Sequence, residues 1–348
     1  MNQKVRIGII GLGGISVVHV PYMRQNERAE LTAICDIDEP WLRYEKERLG
    51  VKYAYADYRD LINNPEIDAV IICLPTYLHA EATIASLNAG KHVLCQKPMA
   101  CSAAEARAMC AASEKAGKKL MISHNQRLEE NVQYIKRLKD EGFFGEIYLM
   151  RIGWRRPMGC MPPSITKRPN GQEYNRNFFN EKDNGGGVLR DLGTHLLDLS
   201  LFIAGFPKPV DVASSLFRKF YPDDYDPKKY IYDAEDMGVA HINFDNGLTM
   251  QLEVSFGSQV ERDLVFTEVY GTKAGASRRQ GKLQLITYEH GGTVVKTVEK
   301  YGFVSKPTAH RFTDAILDGT DVPITAREGA QVVEVLDMIY KAAGKIKT

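Results

Sequence analysis

The sequence lacks the features that mark several large classes of protein. Its 45 Lys and Arg residues almost balance its 44 Asp and Glu residues, leaving a formal net charge of +1. No block of basic residues interrupts this balance, which argues against nucleic-acid binding. Apolar runs such as residues 69–74 are too short to span a bilayer, and residues 1–7 show no signal-peptide pattern. We therefore expect no nucleic-acid partner and no membrane association.

Cysteine is also sparse and shows no functional spacing. The six cysteines form no CxxC pair and no zinc-finger pattern, and three of them lie in or beside apolar, strand-like runs. Such positions are typical of small buried side chains in a reducing compartment. This distribution predicts a cytoplasmic protein without a metal site.

What is present divides the chain into two patterns. A length of 348 residues suggests about two domains, at about 150 residues each. Over residues 1–124, short apolar strands alternate with helical stretches, which is typical of a parallel α/β sheet. The predicted strands of this region are 5–10, 31–35, 69–74, 92–95 and 120–123.

After about residue 125 strands dominate. The turn signal Asp245-Asn246-Gly247 between two of them predicts a sheet that is at least partly antiparallel. A helix is expected over about 187–204. Before it lies the long polar segment 155–184, for which a substrate lid and an oligomer contact are equally good interpretations. The predicted strands of this region are 146–154, 210–217, 237–244, 248–256, 264–270 and 283–287.

A dinucleotide fingerprint of the form G-x-G-x-x-S, residues 11–16, follows the first strand and precedes a helix. Gly11 allows the tight turn, and Gly13 lets the backbone approach a pyrophosphate at the helix N-terminus. Asp36 ends the second strand 20 residues after Ser16, which is the spacing of the acid that binds the ribose hydroxyls. Because a carboxylate there repels a 2′-phosphate, the pattern favours NAD over NADP.

Two further segments carry candidate catalytic groups. Lys97 follows the predicted strand 92–95, at the edge of the sheet where ligands bind, and could donate to a substrate oxygen; a surface lysine is an equally good interpretation. Three glycines, 185–187, precede Asp191 and His195, which are four residues apart on one predicted helix. An aspartate beside a histidine suits a general acid–base, although a lone helical histidine is more often structural.

The fingerprint, Asp36, Gln96-Lys97-Pro98 and the Gly-Gly-Gly-x-x-x-Asp-x-Gly-x-His pattern together resemble the Gfo/Idh/MocA oxidoreductase family over essentially the whole chain. The resemblance implies a Rossmann domain, 1–124, and an α+β domain, 125–325, with a large, mostly antiparallel open sheet that mediates homo-dimer or homo-tetramer contacts. It implies that helix 326–348 packs near the first domain again, and that Lys97, Asp191 and His195 are catalytic. The cofactor-binding positions expected from the fingerprint and the resemblance are Gly11, Gly13, Gly14, Ile15, Asp36, Ile37, Leu74, Pro75, Thr76, His79 and Gln96.

Gln96 departs from the family pattern, which usually has Glu before the lysine. Glutamine keeps the hydrogen-bonding shape and could still contact the cofactor ribose, but it loses the charge that would stabilise the Lys97 ammonium. This change makes a divergent substrate, or lost activity, a stronger alternative.

The functional hypothesis is NAD-dependent oxidation of a secondary alcohol on a sugar, inositol or related polyol, in either direction. Asn125, Arg127, Trp154 and Arg155 are the expected substrate contacts, with Trp154 offering an apolar face on which a sugar can stack. Two alternatives stay open: NAD-dependent redox cleavage of a glycoside, and a non-catalytic sensor that binds a dinucleotide.

Overall fold

The computed structural model describes residues 4–158, 165–167, 173–175, 179–221, 225–228, 231–302, 305–344 and 346. The chain forms two compact units. The first unit comprises Met1–Asn125 with Lys306–Val333, and the second comprises Gln126–Ser305 with Glu334–Thr348.

The first unit contains a six-stranded, wholly parallel sheet with strand order β3-β2-β1-β4-β5-β6. This is the order of doubly wound dinucleotide-binding folds, so the predicted parallel sheet is confirmed. The three-residue strand β3 and the helix α3 were not predicted, because neither is long enough to show a period. The elements in chain order are β1 Val5–Ile10, α1 Ser16–Gln25, β2 Ala29–Cys35, α2 Glu39–Leu49, β3 Tyr53–Tyr55, α3 Tyr58–Asn63, β4 Ala69–Ile72, α4 His79–Asn88, β5 His92–Cys95, α5 Ala103–Ala116 and β6 Leu120–Ile122.

Burial explains why these short apolar runs form the centre of the unit. All four residues of β4 and the last four of β1 are buried, as both faces of a parallel sheet require. A capping box begins α5, where Ser102 accepts from the Glu105 backbone and the Glu105 carboxylate accepts from the Ser102 backbone. Because the strands of this sheet are parallel, the carboxyl ends of β1, β2, β4 and β5 lie at the same edge of the sheet.

The second unit is built on an eight-stranded sheet with order β10-β11-β12-β7-β13-β14-β15-β16. Neighbouring strands are antiparallel except β12 and β7, which run parallel, so the prediction of a mostly antiparallel sheet is confirmed. The predicted turn at residues 245–247 connects β11 and β12. The elements are α6 Glu130–Asp140, β7 Ile147–Pro157, β8 Ile165–Lys167, β9 Glu173–Asn175, α7 Glu181–Asn184, α8 Thr194–Ala204, β10 Pro209–Phe217, β11 Met237–Phe244, β12 Thr249–Ser258, β13 Leu264–Gly271, β14 Ala274–Arg279, β15 Lys282–Glu289 and β16 Gly292–Val298.

A π-helix, Leu189–Gly193, leads directly into α8. The predicted helix over 187–204 is therefore confirmed as helical, but its first turn is of the π type and not regular α. Single π turns inside helices are frequent at functional sites. Asp191 lies within this turn and His195 lies just after it.

Two helices close the chain, α9 Thr308–Asp318 and α10 Ala326–Ala343. α9 belongs to the first unit, where Asn26 donates to Thr313 and Arg28 pairs with Asp314 and Asp318. Much of segment 155–184, whose two interpretations were a lid and an oligomer contact, lies outside the residues that the structure describes. Within the described ranges, no helix is both long and apolar enough to cross a membrane.

Candidate functional site

In the glycine-rich turn after β1, Gly11 and Gly13 have different roles. Gly11 has φ +91°, and a Cβ built on it would lie 2.6 Å from the Cys73 carbonyl oxygen, so only glycine fits there. A Cβ on Gly13 would meet no atom within 4 Å. The backbone at Gly13 is therefore open to an incoming group, and α1 begins three residues later with its N–H groups available to an anion. This open cradle fits a dinucleotide pyrophosphate.

Asp36 ties the end of β2 to this turn. One of its carboxylate oxygens accepts from the Leu12 backbone N–H at 2.8 Å, and the other accepts from the Asp38 N–H at 3.0 Å. The indole N–H of Trp41 donates to the Leu12 carbonyl at 3.0 Å, so Leu12 is held from both sides. Each Asp36 oxygen keeps a lone pair for a ribose hydroxyl. The neighbouring residues expected at the cofactor, Gly14, Ile15 and Ile37, are exposed.

The loop after β4 places the remaining expected cofactor residues at the same sheet edge. Leu74 is half-buried, Pro75 is exposed and Thr76 is buried at the start of a short 3₁₀ segment. His79 is only 1 % exposed, and its two ring nitrogens lie 2.8 Å from the carbonyl oxygens of Leu74 and Pro98. Its contacts within the unit are thus with the protein backbone, and a contact with the cofactor stays a prediction.

Lys97 lies two residues after the end of β5 and is half-buried. The residue before it, Gln96, is buried and its amide contacts the imidazole of His19 on α1. The residue after it, Pro98, presents its carbonyl to His79. Lys97 therefore lies between Gln96, which contacts the buried His19, and Pro98, which contacts the buried His79.

In the second unit the structure brings His195 and Trp154 together. Both are half-buried, and their ring centroids are 6.2 Å apart with planes tilted by 47°. The Trp154 indole N–H donates to Asp263 at 3.0 Å, which fixes the ring. Asp191, half-buried in the π turn, lies four residues before His195. The arrangement offers an aromatic face beside an imidazole that can exchange a proton.

The three glycines ahead of this helix accommodate the chain itself. A Cβ on Gly186 would lie 1.9 Å from the Tyr340 hydroxyl, and one on Gly187 would lie 2.0 Å from the Glu235 carbonyl oxygen. The buried Glu235 carboxylate accepts from the N–H groups of Gly187 and Leu189, each at 3.0 Å, and from Tyr340 at 2.7 Å. Burial raises the pKa of Glu235. The absence of a side chain at Gly187 therefore allows the close approach of the Glu235 backbone.

Two of the expected substrate contacts, Asn125 and Arg127, have different surroundings. Asn125 is exposed in the short helical turn Asn125–Leu128. Arg127 is fully buried, donates to the buried Asp198 and lies over the rings of Phe202 and Phe206. This placement explains Arg127 as part of the core, and its contact with substrate stays a prediction.

Arg155 follows Trp154 along β7, so its side chain points to the opposite face of the sheet. There it pairs with Glu253 at 3.6 Å. This position disfavours a contact with a substrate on the Trp154 side, and we leave Arg155 out of the site proposed below.

Sequence reasoning missed four residues that support the site: His19, Trp41, Glu235 and Tyr340. A signal was present only for His19, a polar residue on the buried side of α1 three positions after the fingerprint. The others act through partners distant in the sequence. No group of metal-ligating side chains is found among the described residues.

A parallel sheet in this order, a glycine turn open at Gly13 and a terminal acid on β2 define a dinucleotide-binding domain of the Rossmann type. Comparison with family models agrees: residues 5–124 match the oxidoreductase family with an NAD-binding Rossmann fold, and residues 132–277 match the GFO/IDH/MocA C-terminal domain. The chain belongs to the GFO/IDH/MocA oxidoreductase family. The predicted family and cofactor class are thereby confirmed.

Several similar proteins are dehydrogenases that are named for a sugar or an inositol. The D-glucoside 3-dehydrogenase of Escherichia coli K12 is 30% identical over 285 residues, 79% of this chain and 77% of that enzyme. The myo-inositol 2-dehydrogenase of Thermotoga maritima is 35% identical over 201 residues, which is 58% of this chain and 55% of that enzyme. Levoglucosan dehydrogenase in complex with NADH has the same fold, with a TM-score of 0.84, 23% identity and coverage of 98% of this chain and 97% of its own.

Proposed function

We propose that this oxidoreductase moves a hydride between NAD and a secondary alcohol or ketone of a sugar, inositol or related polyol. The observation that carries the substrate class is the Trp154 ring beside His195, an apolar face next to a base. Carbohydrate-type substrates of the D-glucoside and myo-inositol dehydrogenases support the same class.

When bound, NAD supplies the hydride acceptor. Gly13 and the N-terminus of α1 hold its pyrophosphate, and Asp36 accepts hydrogen bonds from its ribose hydroxyls. Because the Asp36 carboxylate would repel a 2′-phosphate, we assign NAD and not NADP as the cofactor.

Proton transfer falls to the second unit. His195 takes the proton of the substrate hydroxyl, and Asp191 orients the imidazole and offsets its positive charge. Lys97 donates to the substrate oxygen and stabilises the negative charge that develops there as the proton leaves.

The test is NAD reduction over a panel of myo-inositol, scyllo-inositol, D-glucose, methyl D-glucosides and levoglucosan. On an active member, His195→Ala should lower kcat by about 10²–10⁴-fold and Lys97→Ala by about 10²–10³-fold. His290→Ala, at an exposed turn, is the matched control. Wild-type rates in the Lys97 and His195 variants would overturn the assignment.

The same panel separates the two alternatives. Release of free sugar from a methyl glucoside without net NADH would identify redox glycoside cleavage. Binding of NAD without turnover of any panel member would identify a sensor.

We also propose a homo-oligomer formed through the face of the eight-stranded sheet opposite to Trp154. That face has a cavity of about 460 Å³ lined by residues that include Arg151, Val239, His241 and Phe266. Several of its charges are already paired within the unit, as in Arg151 with Glu268 and Arg155 with Glu253, so a second copy would bury few unpaired charges.

Light scattering tests this interface. Val239→Arg should dissociate the oligomer, whereas His290→Arg, at the exposed turn between β15 and β16, should not. A monomeric wild-type protein would overturn the proposal.

We further place the protein in the cytoplasm, which the free thiols of the five described cysteines support.

A further inference from the structure

Two buried histidines contact the residues on either side of Lys97. His19, from α1, contacts the side chain of Gln96, and His79, at the start of α4, contacts the carbonyl of Pro98. The histidines are 4 % and 1 % exposed, so neither position is available to solvent. Both belong to segments that also build the dinucleotide site.

His19 reaches Gln96 through one ring nitrogen, Nε2. The other, Nδ1, is buried and has no hydrogen-bond partner among the described residues. Burial lowers the pKa of His19 to about 4, so the ring is neutral at physiological pH. A neutral imidazole and a neutral amide can form one hydrogen bond without burying a charge, with the amide orientation setting which of them donates. Gln96 therefore has a fixed partner on the fingerprint helix.

His79 bridges two loops at the carboxyl edge of the sheet. Nδ1 lies 2.8 Å from the Pro98 carbonyl oxygen and Nε2 lies 2.8 Å from the Leu74 carbonyl oxygen. Burial lowers the pKa of His79, and a neutral ring carries one N–H for these two acceptors. The ring lies between the backbone after β5 and the backbone after β4, and its one N–H donates to one of the two carbonyl oxygens at a time.

We propose that His19 and His79 are positioning residues that together fix Lys97 relative to the dinucleotide turn. The inference rests on the proposed role of Lys97 in catalysis. Lysine has a long side chain with many rotamers, and the backbone on both sides of it must be held if its ammonium is to occupy one position. The two histidines hold the residues before and after it, from the same elements that bind the cofactor.

The ring geometry gives a test that depends on which nitrogen is retained. Glutamine places a polar group near the position of histidine Nε2, and asparagine places one near Nδ1. His19→Gln should therefore keep the Gln96 contact that His19→Asn loses. For His79 the order reverses, because asparagine keeps the Pro98 contact and glutamine does not. A role in packing alone predicts no such reversal.

Activity is measured with NAD and the substrate that the panel identifies. We expect His19→Asn to lower kcat by about 10–100-fold with KM for NAD within about twofold, and His19→Gln to stay within about threefold of wild type. His79 is also an expected cofactor contact, so at that position the inference predicts only the order of the two variants: His79→Gln should lower kcat further than His79→Asn. His92→Asn and His92→Gln, at the opposite end of β5, are the matched controls and should leave kcat unchanged. Equal losses for asparagine and glutamine at both positions would overturn the inference.

A second readout does not depend on catalysis. Acetic anhydride labelling followed by peptide mass spectrometry gives the reactivity of Lys97 relative to the exposed Lys52. That ratio should change at least threefold in His19→Asn and His79→Gln and remain constant in the other pair. If Lys97→Ala keeps full activity while these reactivity ratios change, the proposed catalytic role of Lys97 is wrong and the positioning inference stands. If the reactivity ratios do not change, the positioning inference is wrong. Should one variant not fold, the pair at the other histidine gives the same comparison.

Discussion

A glycine-rich segment leads into a site helix in each unit, through Gly13 in the first and Gly187 in the second. A Cβ on Gly13 would meet no protein atom within 4 Å. At Gly187, by contrast, the Glu235 carbonyl oxygen occupies the position that a side chain would take. The same residue type thus leaves room for a ligand in one unit and for the protein's own backbone in the other. Glycine before a helix indicates a ligand only where the neighbouring chain leaves that space empty.

The units also differ in the polar groups that they bury beside these segments. The first unit buries His19 and His79 in neutral form, and the second buries the carboxyl group of Glu235, whose pKa burial raises. These groups respond to pH in opposite directions. Acid removes the stabilising neutral form of the histidines, whereas base ionises the buried carboxyl group at a cost to stability.

The largest expected effect comes from filling the occupied space in the second unit. Gly187→Ala would place a methyl group 2.0 Å from a backbone oxygen that cannot rotate away, and we expect a loss of at least about 3 kcal/mol in the free energy of unfolding. Each unit contains one tryptophan, so urea unfolding of the second unit can be followed by Trp154 fluorescence in a Trp41→Phe background.

Gly193→Ala is the matched control, since Gly193 is helical and its nearest neighbour is the end of the Leu189 side chain at 3.3 Å. It should change stability by less than about 1 kcal/mol. Equal stability of the two alanine variants would mean that Gly187 does not face packed chain, and the contrast between the units would disappear.

The two units also differ in how much of their structure could be predicted from the sequence. In the first unit five of the six strands, the fingerprint and Asp36 are encoded within short stretches, and the structure contains them at or within two residues of the predicted positions. In the second unit the helix that carries the proposed catalytic residues is supported by Glu235, 48 residues after Gly187, and by Tyr340, 105 residues further on. No local pattern marks such partners. His19 differs in part: its place three positions after the fingerprint was a local signal, but its partner Gln96, 77 residues away, was not predictable.

A smaller effect is expected from the titration of His19. Its pKa is about 4 in the folded chain against 6.5 as the ordinary value, so the unfolded chain binds the proton first as pH falls. The first unit therefore loses stability between about pH 6.5 and pH 4, with His19 accounting for about 2–3 kcal/mol between pH 7.5 and 4.5. His19→Gln should remove that part of the loss.

The measurement is the free energy of urea unfolding reported by Trp41 in a Trp154→Phe background, at pH 7.5 and at pH 4.5. His290→Gln, at the exposed turn of the second unit, should leave the acid loss of the first unit as it is in wild type. If His19→Gln retains the full loss, the ring is not buried in neutral form, and the opposite pH response of the two units would have to come from other groups.

The smallest expected effect is at the open glycine. Gly13→Ala puts a methyl group where no protein atom lies within 4 Å, so the free energy of unfolding should stay within about 0.5 kcal/mol of the wild-type value. The methyl group would instead occupy space proposed for the pyrophosphate, and the Kd for NADH should rise about tenfold, or about 1.4 kcal/mol. Fluorescence titration with NADH measures this, with Gly292→Ala in β16 as the control. Tighter or unchanged NADH binding in Gly13→Ala would show that the cofactor does not occupy the open space at Gly13. The added methyl group contacts no protein atom, so only a ligand bound in that space can be affected by it.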